Sequence, residues 1–161
     1  MTIKPGDKLP QATFTVMTAE GPSAMTTADI FAGRKVVLFA LPGAFTPTCH
    51  KQHVPGFIAK AAELKAKGVD TIACLSVNDV FVMDAWDKAT GGNGAIMFLA
   101  DGNGEFTTAA GLDMDASSFG MGLRSQRYAL IADDGTVTHL NMETAKGEIV
   151  ESGPDKILQQ L

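Results

Sequence analysis

Residues 35–41 read Lys-Val-Val-Leu-Phe-Ala-Leu, and residues 69–76 read Val-Asp-Thr-Ile-Ala-Cys-Leu-Ser. Continuous apolar runs of this length, unlike alternating ones, mark strands buried on both faces. Between them a helical pattern runs to about Lys67, with Val54, Phe57, Ile58, Ala61 and Leu64 on one face. Gly68 stands where such a helix would end in a left-handed residue. Pro55 lacks the amide donor its turn requires and should kink or interrupt the helix. A buried strand, a helix and a second buried strand form a parallel unit with a right-handed crossover. Such a unit needs helices on both faces of its sheet.

The remaining pattern extends this unit. Ala12–Met17 alternates and is prone to extended structure. Asn78 or Asp79 can cap a helix running to about Ala89. Ala95–Ala100 is a third apolar run, followed by a short helix near Glu105–Ala110. Asp134-Gly135 is a strong hairpin signal between Arg127–Asp133 and Val137–Asn141. Pro154–Gln160 reads as a closing helix. This order predicts an α/β fold of the thioredoxin-like type, a central mixed sheet flanked by helices. No repeat or linker breaks the chain, so residues 1–161 are expected to form a single domain.

Composition narrows the function. At 161 residues the chain can bury a core without disulfide staples. Thirteen Lys and Arg against 18 Asp and Glu leave a net charge of −5. A sizeable nucleic-acid interface would want the opposite sign. No apolar run is long enough to span a membrane, and the N-terminus lacks the pattern of a signal or transit segment. The expectation is a soluble protein of the cytoplasm. In a reducing compartment a cysteine is more often chemical than structural. The two cysteines, Cys49 and Cys74, rule out four-cysteine zinc sites and disulfide frameworks.

Cys49 is the first candidate. Thr46 suits an N-cap and Pro47 the first helical position, so Cys49 falls in the first turn of a helix that follows a buried strand. Free amides and the positive end of the helix dipole there favour thiolate over thiol. The plainer alternative is a small hydrophobe buried at a helix start. In Thr46-Pro47-Thr48-Cys49 a hydroxyl stands where a Cys-x-x-Cys dithiol has its first sulfur. A dithiol reductase is therefore disfavoured. A thiolate beside a hydroxyl suits attack on an electrophilic oxygen, displacing alkoxide from a peroxide and leaving a sulfenic acid. Charge then builds on two oxygens and calls for fixed donors and a cation. Arg127, opening an apolar strand at a sheet end, and Arg124 both qualify, and spacing does not choose between them. Either is equally an ordinary surface arginine. Cys74, flanked by apolar strand residues, reads as a core residue, with a resolving cysteine as the alternative.

The pattern Pro42-x-x-x-Thr46-x-x-Cys49 resembles the active-site motif of the peroxiredoxins. Its extension from Gly43 to Phe57, with His50, His53, Val54, Pro55 and Gly56, is similar to the type II, peroxiredoxin-five branch. The resemblance continues through Ser76–Trp86 and Leu123–Ala129 and so covers nearly the whole chain. It implies reduction of hydrogen peroxide and organic hydroperoxides, often of peroxynitrite, without metal or prosthetic group. It implies that Cys49 is the peroxidatic cysteine, Thr46 the hydroxyl that orients the peroxide, Pro42 the residue shielding the site and Arg127 the active-site arginine. Plant-type relatives carry a cysteine at the place of Cys74. The C-terminal resolving cysteine of some animal relatives is absent, because no cysteine follows Cys74. The rival from another class is a non-catalytic redox sensor or holdase on the same fold, for which Thr46 and Arg127 together would have no use.

Regeneration and assembly follow as expectations. Cys49 and Cys74 sit at opposite ends of one strand–helix–strand arm, so a bond between them would require unwinding the helix start. An external thiol, glutathione assisted by glutaredoxin, is the expected reductant, with thioredoxin as the alternative. Cys49 and His53 are four apart and could face one metal ion, but the ligand set is incomplete. His53 more simply packs or hydrogen-bonds beside the site, or lends the thiolate positive charge. Met25, Met83, Met97, Met114 and Met121 read as core filling. Phe45, Phe81, Phe119 and Met121 are more apolar surface than a small domain readily hides, and predict a homodimer. The loop Phe119–Leu123 should tuck under the core or into that contact.

Overall fold

The computed structural model describes residues 1–144 and 148–161. The chain opens with an antiparallel pair, β1 (Thr13–Thr18) and β2 (Gly21–Thr26), followed by α1 (Thr27–Phe31). Next come β3 (Lys35–Ala40), a helix broken into a π turn (Cys49–His53) and α2 (Val54–Ala66), and β4 (Thr71–Ser76). Then follow α3 (Val80–Thr90), β5 (Met97–Ala100) and α4 (Glu105–Ala109). A small pair, β6 (Asp113–Asp115) and β7 (Leu123–Ser125), brackets a 3-10 turn at Ser117–Phe119. The chain closes with β8 (Tyr128–Asp133), β9 (Thr136–Met142) and α5 (Pro154–Gln160).

The main sheet has seven strands in the order β2-β1-β5-β4-β3-β8-β9. Its centre is parallel, β3 with β4 and β4 with β5, while both flanks pair antiparallel. This is the mixed sheet of a thioredoxin-like fold. Alternation along the strands sorts the core into two layers. Val37, Phe39, Ile72, Cys74 and Ala129 join Phe57, Trp86 and Ile157 on the face covered by α2, α3 and α5. Val36, Leu38, Ala73, Leu75 and Leu130 join Ile30, Phe31 and Phe106 on the opposite face, covered by α1 and α4. The apolar runs of β3, β4 and β8 are thus buried on both sides, as such runs require.

Local signals account for most boundaries. Asp79 caps α3 by accepting from the Val82 amide at 2.9 Å. Gly68 takes φ +97° just past α2. Asp134 and Gly135, at φ +50° and +78°, make the two-residue hairpin turn. The break expected at Pro55 is realised as the π turn before it, closed by the Val54 amide on the Cys49 carbonyl. In a regular α-helix the ring of Pro55 would collide with the carbonyl four residues back, and the wider turn carries the chain past that point.

Two parts of the fold depart from the pattern in the sequence. β2 is an edge strand with little burial, so it carries no apolar alternation. β6 and β7 are three residues each and owe their pairing to each other.

Candidate active site

β3 delivers the chain to Pro42, and three contacts fold the next four residues tightly. A Cβ on Gly43 would stand 3.0 Å from the Arg124 guanidinium and 3.2 Å from Thr46, so a side chain here would press these neighbours outward by a few tenths of an ångström. The Ala44 amide donates to Asn78 Oδ1 at 3.0 Å, and the Ser76 hydroxyl donates to the same oxygen at 2.6 Å. Asn78 therefore ties down the loop, while its neighbour Asp79 caps α3. Phe45 takes the left-handed φ of +63°, uncommon without glycine. Its ring leans on His50 and Trp86, and the Trp86 indole donates to His50 Nδ1 at 3.0 Å.

That reversal changes the expected role of Thr46. Its carbonyl accepts from the His50 amide at 2.9 Å, as an N-cap should. Its side chain does not cap. The hydroxyl instead donates to the Gly43 carbonyl at 2.6 Å, because the turn at Phe45 folds that carbonyl back within reach. With its proton spent, the oxygen keeps lone pairs free to accept from a ligand. Pro47 and Thr48 are helical, and Cys49 is the third residue of the helix and the first of the π turn.

Cys49 is fully buried. Arg127, at the mouth of β8, donates from Nη2 to Cys49 Sγ at 3.0 Å and from Nη1 to His53 Nδ1 at 2.9 Å. A guanidinium has no acceptor, so His53 Nδ1 must accept and the imidazole proton sits on Nε2. Nε2 then donates to the Ser152 carbonyl at 2.8 Å. Burial is the main force pushing His53 down to about 3; the Ser152 carbonyl opposes it and the Arg127 charge adds to it. His53 is therefore neutral at physiological pH. The expectation that it lends positive charge to the sulfur is corrected: the cation is Arg127, and His53 orients it. With both ring nitrogens engaged, His53 does not share an ion with Cys49.

Arg124 lies elsewhere. Its Nε donates to the Met121 carbonyl at 2.9 Å and its Nη1 to the Pro42 carbonyl at 3.4 Å. It joins the 119–123 loop to the turn around Gly43. Cys74 sits at the centre of β4 opposite Phe39, in the same apolar layer as Cys49. The expected placement of the two cysteines at opposite ends of the arm is thus corrected, because α2 folds back over the strand it leads into. Burial, and then the charge of Cys49, push the Cys74 thiol well above its usual value.

A cavity of about 360 Å³ opens beside this cluster, lined by Pro42, Thr46, Met114, Phe119, Met121 and Arg127 among others. Met114 and Met121 are cavity walls, not core filling. Phe119 is neither tucked away nor under the core: 66% of it is exposed at the rim. The arrangement suits a small hydroperoxide, with its oxygens toward Thr46 and Arg127 and its organic group along apolar wall. Three contributors were not expected at the site from the sequence: Asn78, which read as a possible cap within the Ser76–Trp86 stretch; Met114, which read as core filling; and Ser152, which reaches His53 from 99 positions away and carried no mark.

His53 also makes the fold acid-sensitive. Its value falls from 6.5 unfolded to about 3 folded, so between those limits the unfolded chain binds the extra proton. The contribution of the neutral His53 to stability is fully present above its unfolded value of 6.5 and is lost as pH falls toward about 3. At pH 4 the loss should be about 3 kcal/mol. Urea unfolding of the wild type and His53→Gln at pH 7 and 4 measures it; equal losses in the two proteins would refute the assignment.

Comparison with known proteins places this geometry. The Redoxin family model matches residues 4–158. Peroxiredoxin-2E-2, chloroplastic, of Oryza sativa subsp. japonica is 53% identical over 165 residues, covering 99% of this chain and 73% of its own. Peroxiredoxin-2E, chloroplastic, of Arabidopsis thaliana is 48% identical, covering 99% of this chain and 70% of its own. The crystal structure of reduced Prx3 from Vibrio vulnificus in complex with hydrogen peroxide superposes with a TM-score of 0.94 at 52% identity, over 99% of each chain.

Proposed function

The chain belongs to the peroxiredoxin family of thiol peroxidases, and from that premise we propose that Cys49 is the peroxidatic nucleophile of a type II, peroxiredoxin-five-branch enzyme reducing hydrogen peroxide and organic hydroperoxides. The observation that carries this reading is the Arg127 contact, one Nη on Cys49 Sγ and the other held by His53. A donor fixed on both sides needs no reorganisation as charge develops. The Cys49 thiolate attacks the terminal oxygen of ROOH. The S–O bond forms as the O–O bond breaks, and RO⁻ leaves and is protonated to ROH. Cys49 is oxidised to sulfenic acid and the peroxide is reduced. Thr46 accepts from the peroxide hydroxyl, Arg127 donates to its oxygens, and Pro42 closes the cavity wall over the sulfur. This division of labour favours turnover over a sensor or holdase role, which would need the thiol alone.

The reductant we propose is external, glutathione with glutaredoxin. Cys74 is a poor resolving thiol, since buried apolar surroundings disfavour the thiolate that attack requires. A first thiol condenses with the sulfenic acid, releasing water and forming a mixed disulfide. A second thiol then releases the Cys49 thiol and leaves as a disulfide. Intact mass after one equivalent of peroxide, with and without glutathione, tests this. A glutathione adduct on Cys49 is expected. Rapid, complete formation of a Cys49–Cys74 disulfide would refute it, and turnover only with thioredoxin would reassign the donor.

Residues 1–161 are read as one domain, because both apolar layers share one sheet. A homodimer is favoured by the exposed rings of Phe45, Phe81 and Phe119; sedimentation as a monomer at micromolar concentration would refute it. Among the described residues no helix is long and apolar enough to cross a membrane. The compartment we propose is a reducing one, and the names of the rice and Arabidopsis relatives favour a plastid over the cytoplasm read from the sequence.

A further inference from the structure

Arg127 is held by His53, and His53 is held by a backbone carbonyl. What fixes that carbonyl is a carboxylate. Glu143 follows β9, and its amide donates to the Arg127 carbonyl at 3.1 Å. Its side chain turns to the segment before α5. Oε2 accepts from the Val150 amide at 3.0 Å, the Ser152 amide at 3.0 Å and the Ser152 hydroxyl at 2.8 Å, and Oε1 accepts from the Glu151 amide at 3.2 Å. Val150 is exposed, and the segment 148–152 contains no helix or strand. Four donors converging on one carboxylate therefore do the work that regular structure does elsewhere. Ser152 itself is fully buried, and its carbonyl is the acceptor of the His53 Nε2 proton.

We propose that Glu143 is a positioning residue for the peroxidase reaction, acting through Ser152 and His53 on the direction of the Arg127 guanidinium. The proposal rests on Cys49 and Arg127 having the roles given above. Its physical basis is the tautomer. If the Ser152 carbonyl moves away, the imidazole proton loses its partner on Nε2 and the Nδ1–H form becomes competitive. An Nδ1–H presents a donor to a donor, and Arg127 must swing off His53. It then no longer bridges to Cys49 Sγ. Glu143 borders the cavity beside Arg127, but its two carboxylate oxygens are taken by the 150–152 amides and the Ser152 hydroxyl, so in this scheme it acts on the guanidinium and not on the peroxide. Its side chain is also wired to the site electrostatically, since its negative charge favours protonation of His53 while Arg127 opposes it. Burial by itself would raise the Glu143 carboxyl, but the hydrogen bonds from Ser152, Glu151 and Val150 together hold it below its ordinary value, so the acceptor stays ionised.

The test is a double-mutant cycle on the rate of sulfenic acid formation. Glu143→Ala is expected to slow that step about tenfold, in the middle of the range for coupled neighbours. Glu143→Gln should restore most of the loss, because an amide oxygen in place of Oε2 keeps three of the four contacts. In an Arg127→Ala background Glu143→Ala should cost nothing further. Nitrogen-15 spectra of His53 supply a readout that mere loosening of the segment would not move. The wild type should show Nε2 protonated and Nδ1 bare, and Glu143→Ala should mix the two tautomers. Independent, multiplicative losses from Glu143→Ala and Arg127→Ala, or an unchanged His53 tautomer, would overturn the proposal. If Glu143→Ala does not fold, Ser152→Ala, which removes only the hydroxyl donor, carries the same cycle with an expected loss of about twofold. An Arg127→Ala variant of normal rate would instead overturn the reading of the site on which the proposal stands.

Discussion

Replacing Cys49 with serine is expected to abolish peroxide reduction, while Cys74→Ser leaves the first oxidation within about threefold of the wild type. A serine hydroxyl is a far weaker nucleophile toward peroxide oxygen, and it has no sulfenic acid chemistry with which to store the oxidising equivalent. The Cys49 site also gives its sulfur the one feature Cys74 lacks, a cation donating directly to it at 3.0 Å. Cys74 faces Phe39 and Phe98 across the central strands and sits in the apolar layer beneath α2. Its replacement buries a hydroxyl among apolar neighbours, a stability cost of about 1–3 kcal/mol that does not touch the reacting atoms. Pre-steady-state consumption of a single equivalent of peroxide separates the two, because it records oxidation of the first thiol without recycling. Equal loss in both variants would remove the distinction drawn between them.

Arg127→Ala should slow sulfenic acid formation by about 10² or more, the usual loss on removing one fixed donor from a site where negative charge develops. Arg124→Ala should slow it much less. Both arginines lie near the Gly43 turn, but their partners differ in kind. Arg127 bridges a sulfur and an imidazole, whereas Arg124 bridges two backbone carbonyls. Loss of Arg124 frees the 119–123 loop from the Pro42 turn and opens the cavity wall. Its effect should fall on large organic hydroperoxides more than on hydrogen peroxide. Arg127→Lys should recover little, since one ammonium cannot hold His53 and meet the sulfur in the same planar fork. Rapid-mixing fluorescence of Trp86, whose indole is bonded to His50 in the reacting helix, offers the measurement. If Arg124→Ala were the slower variant, the two roles would have to be exchanged.

Much of the site was written locally. The first-turn placement of Cys49 followed from Thr46 and Pro47, whose effects act within a few residues. The helix face from Val54 to Leu64, a cap at Asn78 or Asp79 and the hairpin at Asp134-Gly135 are short-range for the same reason; the structure reproduces the face and the hairpin and settles the cap on Asp79. The start of α1 is marked just as locally. Thr26 and Asp29 form a reciprocal capping box, with the Asp29 amide on Thr26 Oγ1 and the Thr26 amide on Asp29 Oδ2. That spacing marks the start of α1 as clearly as any other in the chain.

What the amino-acid sequence determined alone is the central elements and the candidate residue: buried strands from apolar runs, helix starts from caps, and a cysteine set beside a hydroxyl in a first helical turn. What only the tertiary structure decided is which distant groups meet there. Arg127 prevails over Arg124 because β8 pairs with β3 in a register that sets Tyr128 opposite Ala40, which brings Arg127 to the end of β3 where the reactive helix begins. His53 is neutral, not charged, because packing buries it and because its two nitrogens find Arg127 and Ser152, 74 and 99 positions away. Thr46 donates to Gly43 and leaves its N-cap duty to its backbone because Phe45 reverses the chain. Hydrogen bonds and burial of this kind depend on contacts between residues far apart in the chain, and no local pattern of residue types records them; only the folded sheet brings the donors and acceptors within 3 Å of one another.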